Sequence, residues 1–224
     1  LPAWLFAQTN GIFKTPPATV SLFNEIDINT GLRERDFALS PDGTEIFYTL
    51  QSPQGNFQTI LYLTKDSKGK WSKPEIAPFA GKYSDLEPAF TPDGKKLFFA
   101  ANRPLTGHTT KDFDIWYVEK KDNKWGEPIN LGEPVNTSTD EFYPSITLSG
   151  NLYFTAAYKN AVGKEDIYLA GFENGKYNTP VPLDTAVNSA TYEFNAFVSP
   201  DEQFIIFTSY GRTDDKGRGD LYMS

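Results

Sequence analysis

Carboxylates recur along this 224-residue chain at intervals of roughly fifty residues, at Glu34, Asp85, Glu141 and Glu193, and three of the four have a second acid close by, Asp36, Glu87 or Asp140. Gathered in one place, such a set could hold a cationic ligand, a polar peptide or a metal ion, with Arg103 and Arg212 supplying fixed positive charge in reply. Two carboxylates whose surroundings separate their pKa values could also serve as acid and base in glycoside hydrolysis, and Asp36, Asp85, Glu141 and Glu193 are the candidates. Recurrence favours a plainer role. An acid present in every copy of a repeat is expected to accept hydrogen bonds from loop backbone or from a neighbouring arginine. Asymmetric chemistry needs unlike, singly placed residues.

The elements that must position these acids are legible. Each acid leads through a short apolar stretch into a tight turn, Ser40-Pro41-Asp42-Gly43, Thr91-Pro92-Asp93-Gly94, Thr147-Leu148-Ser149-Gly150 or Ser199-Pro200-Asp201-Glu202. Proline presets φ in such turns and glycine tolerates φ > 0, so they read as hairpins. The strands that follow, Ile46-Phe47-Tyr48, Leu97-Phe98-Phe99, Leu152-Tyr153-Phe154 and Ile205-Ile206-Phe207, are apolar on both alternating sets. A strand apolar on both faces packs between two sheets. A third strand begins near Thr59, Asp114, Asp166 and Asp220, and a fourth carries an aromatic three residues before proline: Phe13/Pro16, Trp71/Pro74, Trp125/Pro128 and Tyr177/Pro180.

Four strands per unit at this period predict an all-β fold, a β-propeller of four-stranded antiparallel blades. Residues 9–224 are expected to form one domain, with residues 1–8 a signal-peptide remnant or a disordered terminus. The chain starts with a fourth-type strand and ends with a third-type one. Phe13–Thr19 is therefore expected to pair with Asp220–Met223 and close a ring of four blades, or of more if the chain continues beyond Ser224. The recurring aromatics are expected to pack between blades, and Asp114, Asp166 and Asp220 to tie down the loops before them.

Other chemistry is sparse. The chain has no cysteine and a single histidine, His108, so thiolate sites, histidine pairs and disulfides are excluded. There is no Gly-x-Ser-x-Gly elbow, no phosphate-binding glycine loop and no His-Glu-x-x-His. Asp214–Asp220 has acids and glycines but not the spacing of a calcium loop, and Asn136-Thr137-Ser138 reads as a turn because Asn29 and Asn188 recur without the sequon. No cofactor and no metal are expected. A net charge of −8 with scattered basic residues argues against nucleic acid, and no apolar run is long enough to cross a bilayer.

Ala101-Asn102-Arg103-Pro104, Asp114-Ile115-Trp116-Tyr117, Lys124-Trp125-Gly126-Glu127-Pro128-Ile129-Asn130-Leu131-Gly132 and Val135-Asn136-Thr137 leading to Asp140-Glu141-Phe142 carry a resemblance. From about residue 12 to 224 the chain resembles the TolB-type, WD-like propeller repeats of exported bacterial envelope proteins, some of which are joined to a peptidoglycan-binding domain. It departs from them at Leu148-Ser149-Gly150 and at Glu202, and has no peptidoglycan-binding module. The resemblance, with the apolar start Leu1–Ala7, implies export to the periplasm or outer envelope of a Gram-negative bacterium. It implies a non-catalytic scaffold, monomeric, that binds an envelope protein or a small polar or saccharide ligand through Glu34, Asp36, Asp85, Glu87, Asp140, Glu141, Glu193, Arg103 and Arg212. A carbohydrate-active enzyme using the same carboxylates is the competing expectation.

Overall fold

A computed structural model describes residues 28–224, together with Thr19 and Ile26. The expected strand Phe13–Thr19 and the ring closure it would make lie outside the described residues. Every regular element among those described is a β-strand. Blade one comprises β1 (Arg33–Leu39), β2 (Glu45–Gln51), β3 (Gln58–Thr64) and β4 (Glu75–Ile76). Blade two comprises β5 (Asp85–Phe90), β6 (Lys96–Ala101), β7 (Asp114–Lys121) and β9 (Ile129–Asn130), with β8 (Lys124–Trp125) extending β7 as a hairpin. In blade three, β10 (Glu141–Ile146), β11 (Leu152–Ala156), β12 (Asp166–Ala170) and β15 (Val181–Pro182) form the sheet, and β13 (Phe172–Glu173) and β14 (Lys176–Tyr177) a small hairpin. Blade four holds β16 (Tyr192–Val198), β17 (Ile205–Tyr210) and β18 (Asp220–Met223).

All pairings within the sheets are antiparallel and, apart from the small hairpins β8 and β13–β14 that β7–β9 and β12–β15 pass over, sequential, so each blade is an up-and-down sheet with its first strand innermost. Blade one packs on two, two on three and three on four, which sets the sheets as the four blades of a propeller. The doubly apolar second strands explain the stacking. Along β2, Phe47 faces blade two, while Ile46 and Tyr48 face the other way, towards Ile26 and Ile28. Along β6, Leu97 and Phe99 face blade one and Phe98 and Ala100 face blade three. The expected packing role of the outer aromatics is present: Trp125 meets Phe47 edge-on at 5.7 Å across the first junction, and Tyr177 packs on the core between blades two and three.

The hairpin turns follow their sequence chemistry. Gly43 and Gly94 take φ of 71° and 67°, and their amides return to Ser40 and Thr91 at 2.8 Å. Glu202 occupies the same left-handed position in the fourth turn, at φ 59°. Its carboxylate crosses to blade three, accepting from Thr147 at 2.9 Å, Asn151 at 3.1 Å and Tyr153 at 2.9 Å. The departure from glycine thus exchanges backbone ease for a cross-blade contact. Glu202→Gly is expected to relax the turn yet lower stability by about 1 kcal/mol, read as a lower urea midpoint at unchanged slope. An unchanged or higher midpoint would show that the cross-blade bonds contribute nothing.

Candidate functional site

The recurring acids begin the innermost strands, and their partners are local. Glu34 accepts from the Thr30 amide at 3.1 Å, Glu141 from the Thr137 amide at 3.2 Å and hydroxyl at 2.8 Å, and Glu193 from the Ser189 amide at 2.8 Å. Asp85 pairs with Arg103 Nε at 2.8 Å, and Glu193 also accepts from Ser209 at 2.7 Å and from Arg212 Nη2 at 3.3 Å. Asp140 caps the Phe113 amide at 2.8 Å. Asp85, Glu141 and Glu193 are fully buried, so these three tie the loop before the strand to the sheet rather than facing solvent. Arg103 and Arg212 are fixed from behind by donating to the carbonyls of Phe79 and Val187. In blade three Tyr158 takes the arginine's place, donating to the Val135 carbonyl. Glu141 therefore has no cationic partner there, and burial pushes it up to about 7 against the Thr137 donors. Burial likewise raises Asp85 to about 6 despite Arg103.

The remaining expectations divide in the same way. Asp166 accepts the Gly163 amide at 3.0 Å and Asp114 accepts from Lys111 at 2.6 Å, which anchors the preceding loops. Asn136 and Asn188 are buried and clamp the backbone of Ile115 and Ile167 from the neighbouring loop, each donating and accepting at 2.9 Å. The sequon asparagine is thus an interior clamp.

Two residues beyond each recurring acid the geometry changes. Asp36, Glu87, Tyr143 and Asn195 occupy equivalent positions and all have positive φ, between 52° and 59°. At each the ladder to the second strand slips, between Arg35 and Ala38, Leu86 and Ala89, Phe142 and Ser145, and Phe194 and Phe197. Four β-bulges therefore interrupt the four innermost strands at Asp36, Glu87, Tyr143 and Asn195. Non-glycine residues in this region cost about 1 kcal/mol each or more, and such strain concentrates where side-chain direction matters.

Arg35 brings three of these positions together. From blade one its Nη2 donates to Glu87 of blade two at 2.7 Å and to the Tyr143 hydroxyl of blade three at 2.8 Å, while its Nε lies 2.8 Å from Asp36. Glu87 Oε2 accepts the Tyr143 amide at 2.7 Å, and the Glu87 amide donates to Thr49 at 2.9 Å. Phe194 of blade four closes on the Tyr143 ring at 6.0 Å, and Asn195 is exposed. Burial, then the charge of Asp36, push Glu87 up to about 8 against Arg35 and the Tyr143 donors. Burial and Glu87 raise the Tyr143 hydroxyl. Of the acids singled out in the sequence, only Asp36 and Glu87 come together here. Arg35, Tyr143 and Asn195 were missed, although aligning the repeats two residues past each acid would have exposed Tyr143 and Asn195 as the unlike members of one column.

Away from this cluster, a concavity of about 720 Å³ lies between blades two and three on the side of the hairpin turns. It exists because the first junction is filled where this one is not. Glu45 joins Lys120 at 2.6 Å and Trp125 Nε1 at 3.2 Å between blades one and two. The equivalent positions hold Lys96 and Phe172, which line the opening with Tyr117 and Tyr177. No group of three or more His, Asp or Glu side chains is placed to hold a metal among the described residues.

No family model and no curated protein matches the sequence. Solved structures similar in fold include a protein assigned as TolB from Agrobacterium tumefaciens, 15% identical, with a TM-score of 0.56 over 87% of this chain and 58% of that one. They also include a gluconolactonase from Xanthomonas campestris, 15% identical, with a TM-score of 0.51 over 86% of this chain and 58% of that one. A puromycin-hydrolyzing peptidase from Mycobacterium tuberculosis is 17% identical, with a TM-score of 0.50 over 86% of this chain and 30% of that one. The chain thus spans little more than half the length of the first two. At these identities the likeness is one of fold, and the fold is a β-propeller.

Proposed function

We propose that this protein is a non-catalytic binding propeller of the bacterial envelope, and that its partner docks on the axial end formed by Arg35, Asp36, Glu87, Tyr143 and Asn195. One observation carries the reading: four bulges at equivalent positions of the innermost strands carry Asp36, Glu87, Tyr143 and Asn195, so the copies of the repeat differ there. The envelope setting rests on the repeat wording, which resembles TolB-type proteins, and on the shared propeller fold. The partner chemistry is polar, an envelope protein segment or a saccharide, matched to an amide, a carboxylate and an aromatic face around one guanidinium. A photocrosslinking residue in place of Asn195 is expected to capture a discrete partner in cells of the native host, and Asp36→Asn is expected to reduce capture without lowering thermal stability. Equal capture from a crosslinker in place of Ser72, distant in blade one, would defeat the proposal.

A hydrolytic reading has one observation in its favour, a buried Glu87 whose pKa is raised to about 8 beside a second carboxylate, Asp36. It ranks second because both Glu87 oxygens are already engaged, one by Arg35 and one by the Tyr143 amide. An acid catalyst needs an oxygen free to meet the leaving group. Turnover of any oligosaccharide that Glu87→Gln abolishes would reverse this order.

A further inference from the structure

We propose that the concavity between blades two and three is a binding site for a small molecule that joins a carboxylate to a flat apolar body. The two junctions beside it are closed at the same level. Between blades one and two the turns touch, since a Cβ on Gly94 would lie 3.4 Å from Pro41 Cδ, and Glu45 joins Lys120 and Trp125 behind them. Between blades three and four the Leu148 amide donates to the Pro200 carbonyl at 2.8 Å, and Glu202 binds Thr147, Asn151 and Tyr153. Between blades two and three no hydrogen bond joins the turns at 91–94 and 147–150 among the described residues. The opening therefore runs down to Phe98, Val135 and Ile146 of the core. Its walls are consecutive blades, so a further blade at either end of the chain would not enter it. At about 720 Å³ it falls within the roughly 300 to 1,000 Å³ of small-molecule sites.

The groups on the walls indicate the ligand. Lys96 stands where Glu45 stands one blade earlier, Phe172 where Lys120 stands and Tyr177 where Trp125 stands. The carboxylate of the first junction has thus become a cation, and its lysine an aromatic ring that is 39% exposed. Lys96 Nζ lies 4.7 Å from the centre of the Tyr117 ring and 3.3 Å from Glu119, which also meets Lys121 at 3.1 Å, so the two lysines and one acid carry a net positive charge. Neither the Tyr117 nor the Tyr177 hydroxyl makes a hydrogen bond among the described residues. Burial, then Tyr117, raises the Tyr177 hydroxyl, which therefore remains a donor. Asp93 is occupied by the Thr91 hydroxyl at 2.7 Å and the Lys95 amide at 3.0 Å, and Glu133 is exposed at the rim. An ammonium with charge to spare and two phenol donors suit a carboxylate. The Phe172 and Tyr177 rings, 4.9 Å apart and inclined at 54°, suit a flat apolar body. A ligand carboxylate against Lys96 would supply here the charge pair that Glu45 and Lys120 make one junction earlier.

The probes are indole-3-acetate and tryptophol, the matching alcohol without the carboxylate, each titrated by calorimetry. The acid is expected to bind at least about tenfold more tightly than the alcohol. Lys96→Met should bring the acid down to the level of the alcohol while the circular dichroism spectrum and melting temperature hold. Tyr177→Phe, which keeps the ring and drops the donor, is a milder version should Lys96→Met unfold, and should weaken the acid alone by several-fold. Lys96→Glu with Phe172→Lys, which installs the ion pair of the first junction, should abolish binding of both probes. In methyl NMR spectra the acid is expected to shift Val135 and Ile146, at the floor of the concavity, and not Ile60, between blades one and two. No binding at millimolar concentration, equal binding of acid and alcohol, indifference to Lys96→Met, or shifts at Ile60 in place of Ile146 would overturn the proposal.

Discussion

Thermal stability is expected to fall as pH rises from about 5 to about 8.5, the reverse of the behaviour of a protein held by ionised carboxylates. Glu87, Glu141 and Asp85 are raised to about 8, 7 and 6 from ordinary values of 4.5, 4.5 and 3.8, in each case chiefly by burial. A carboxyl group with a folded pKa above its unfolded one binds its proton more tightly in the folded state. Its contribution is fully present below the unfolded value and is lost as pH climbs through the folded value. The window therefore opens near pH 4.5 and closes just above 8. Glu87 is coupled to Asp36 and Arg35, so the expected readout is the sign of the slope, a melting temperature that falls steadily across this window. Glu87→Gln with Glu141→Gln should flatten most of this slope, because the amide keeps the shape without the titration. A melting temperature constant or rising across the window would refute the assignment of these three groups.

Arg103→Ala is expected to cost about 3–5 kcal/mol near pH 8, since Asp85 is fully buried and its guanidinium partner is the group that permits it to ionise. The same protein contains the comparison. Glu141, at the equivalent position, has Tyr158 where Asp85 has Arg103, and Glu141→Gln should not destabilise the protein at neutral pH. The Arg103→Ala defect should shrink towards pH 5, where Asp85 is neutral. Asp85→Asn should restore part of the loss in the double variant, giving a coupling energy well outside additivity. Denaturant titrations of the four proteins of this cycle at both pH values decide it. A cost below about 1 kcal/mol, or strict additivity, would mean that the pair is dispensable.

The two effects share an origin that was partly legible beforehand. The recurring acid was expected to serve the loop before it, and Thr30, Thr137 and Ser189 show it doing so. That expectation succeeded because the partners lie four residues away, and short-range hydrogen bonding is a property of local chain. It gave no sign that Asp85, Glu141 and Glu193 would be wholly buried, since burial depends on how neighbouring blades close over them. Of the nine residues expected to bind a ligand, Asp36 and Glu87 come together at the Arg35 cluster, with Tyr143 beside them.

By itself the sequence determined the repeat, the doubly apolar second strands, the hairpin chemistry of Ser40–Gly43 and Thr91–Gly94, and with them the propeller. Each follows from steric and solvation preferences acting over a few residues and repeated four times. Tertiary structure alone decided that Arg35, Glu87 and Tyr143, from three blades, meet at one point and that Glu202 crosses to blade three. A repeat makes its copies alike in local pattern. Their differences become functional only when the sheets are brought side by side, and distances across a propeller are not encoded in spacing along the chain.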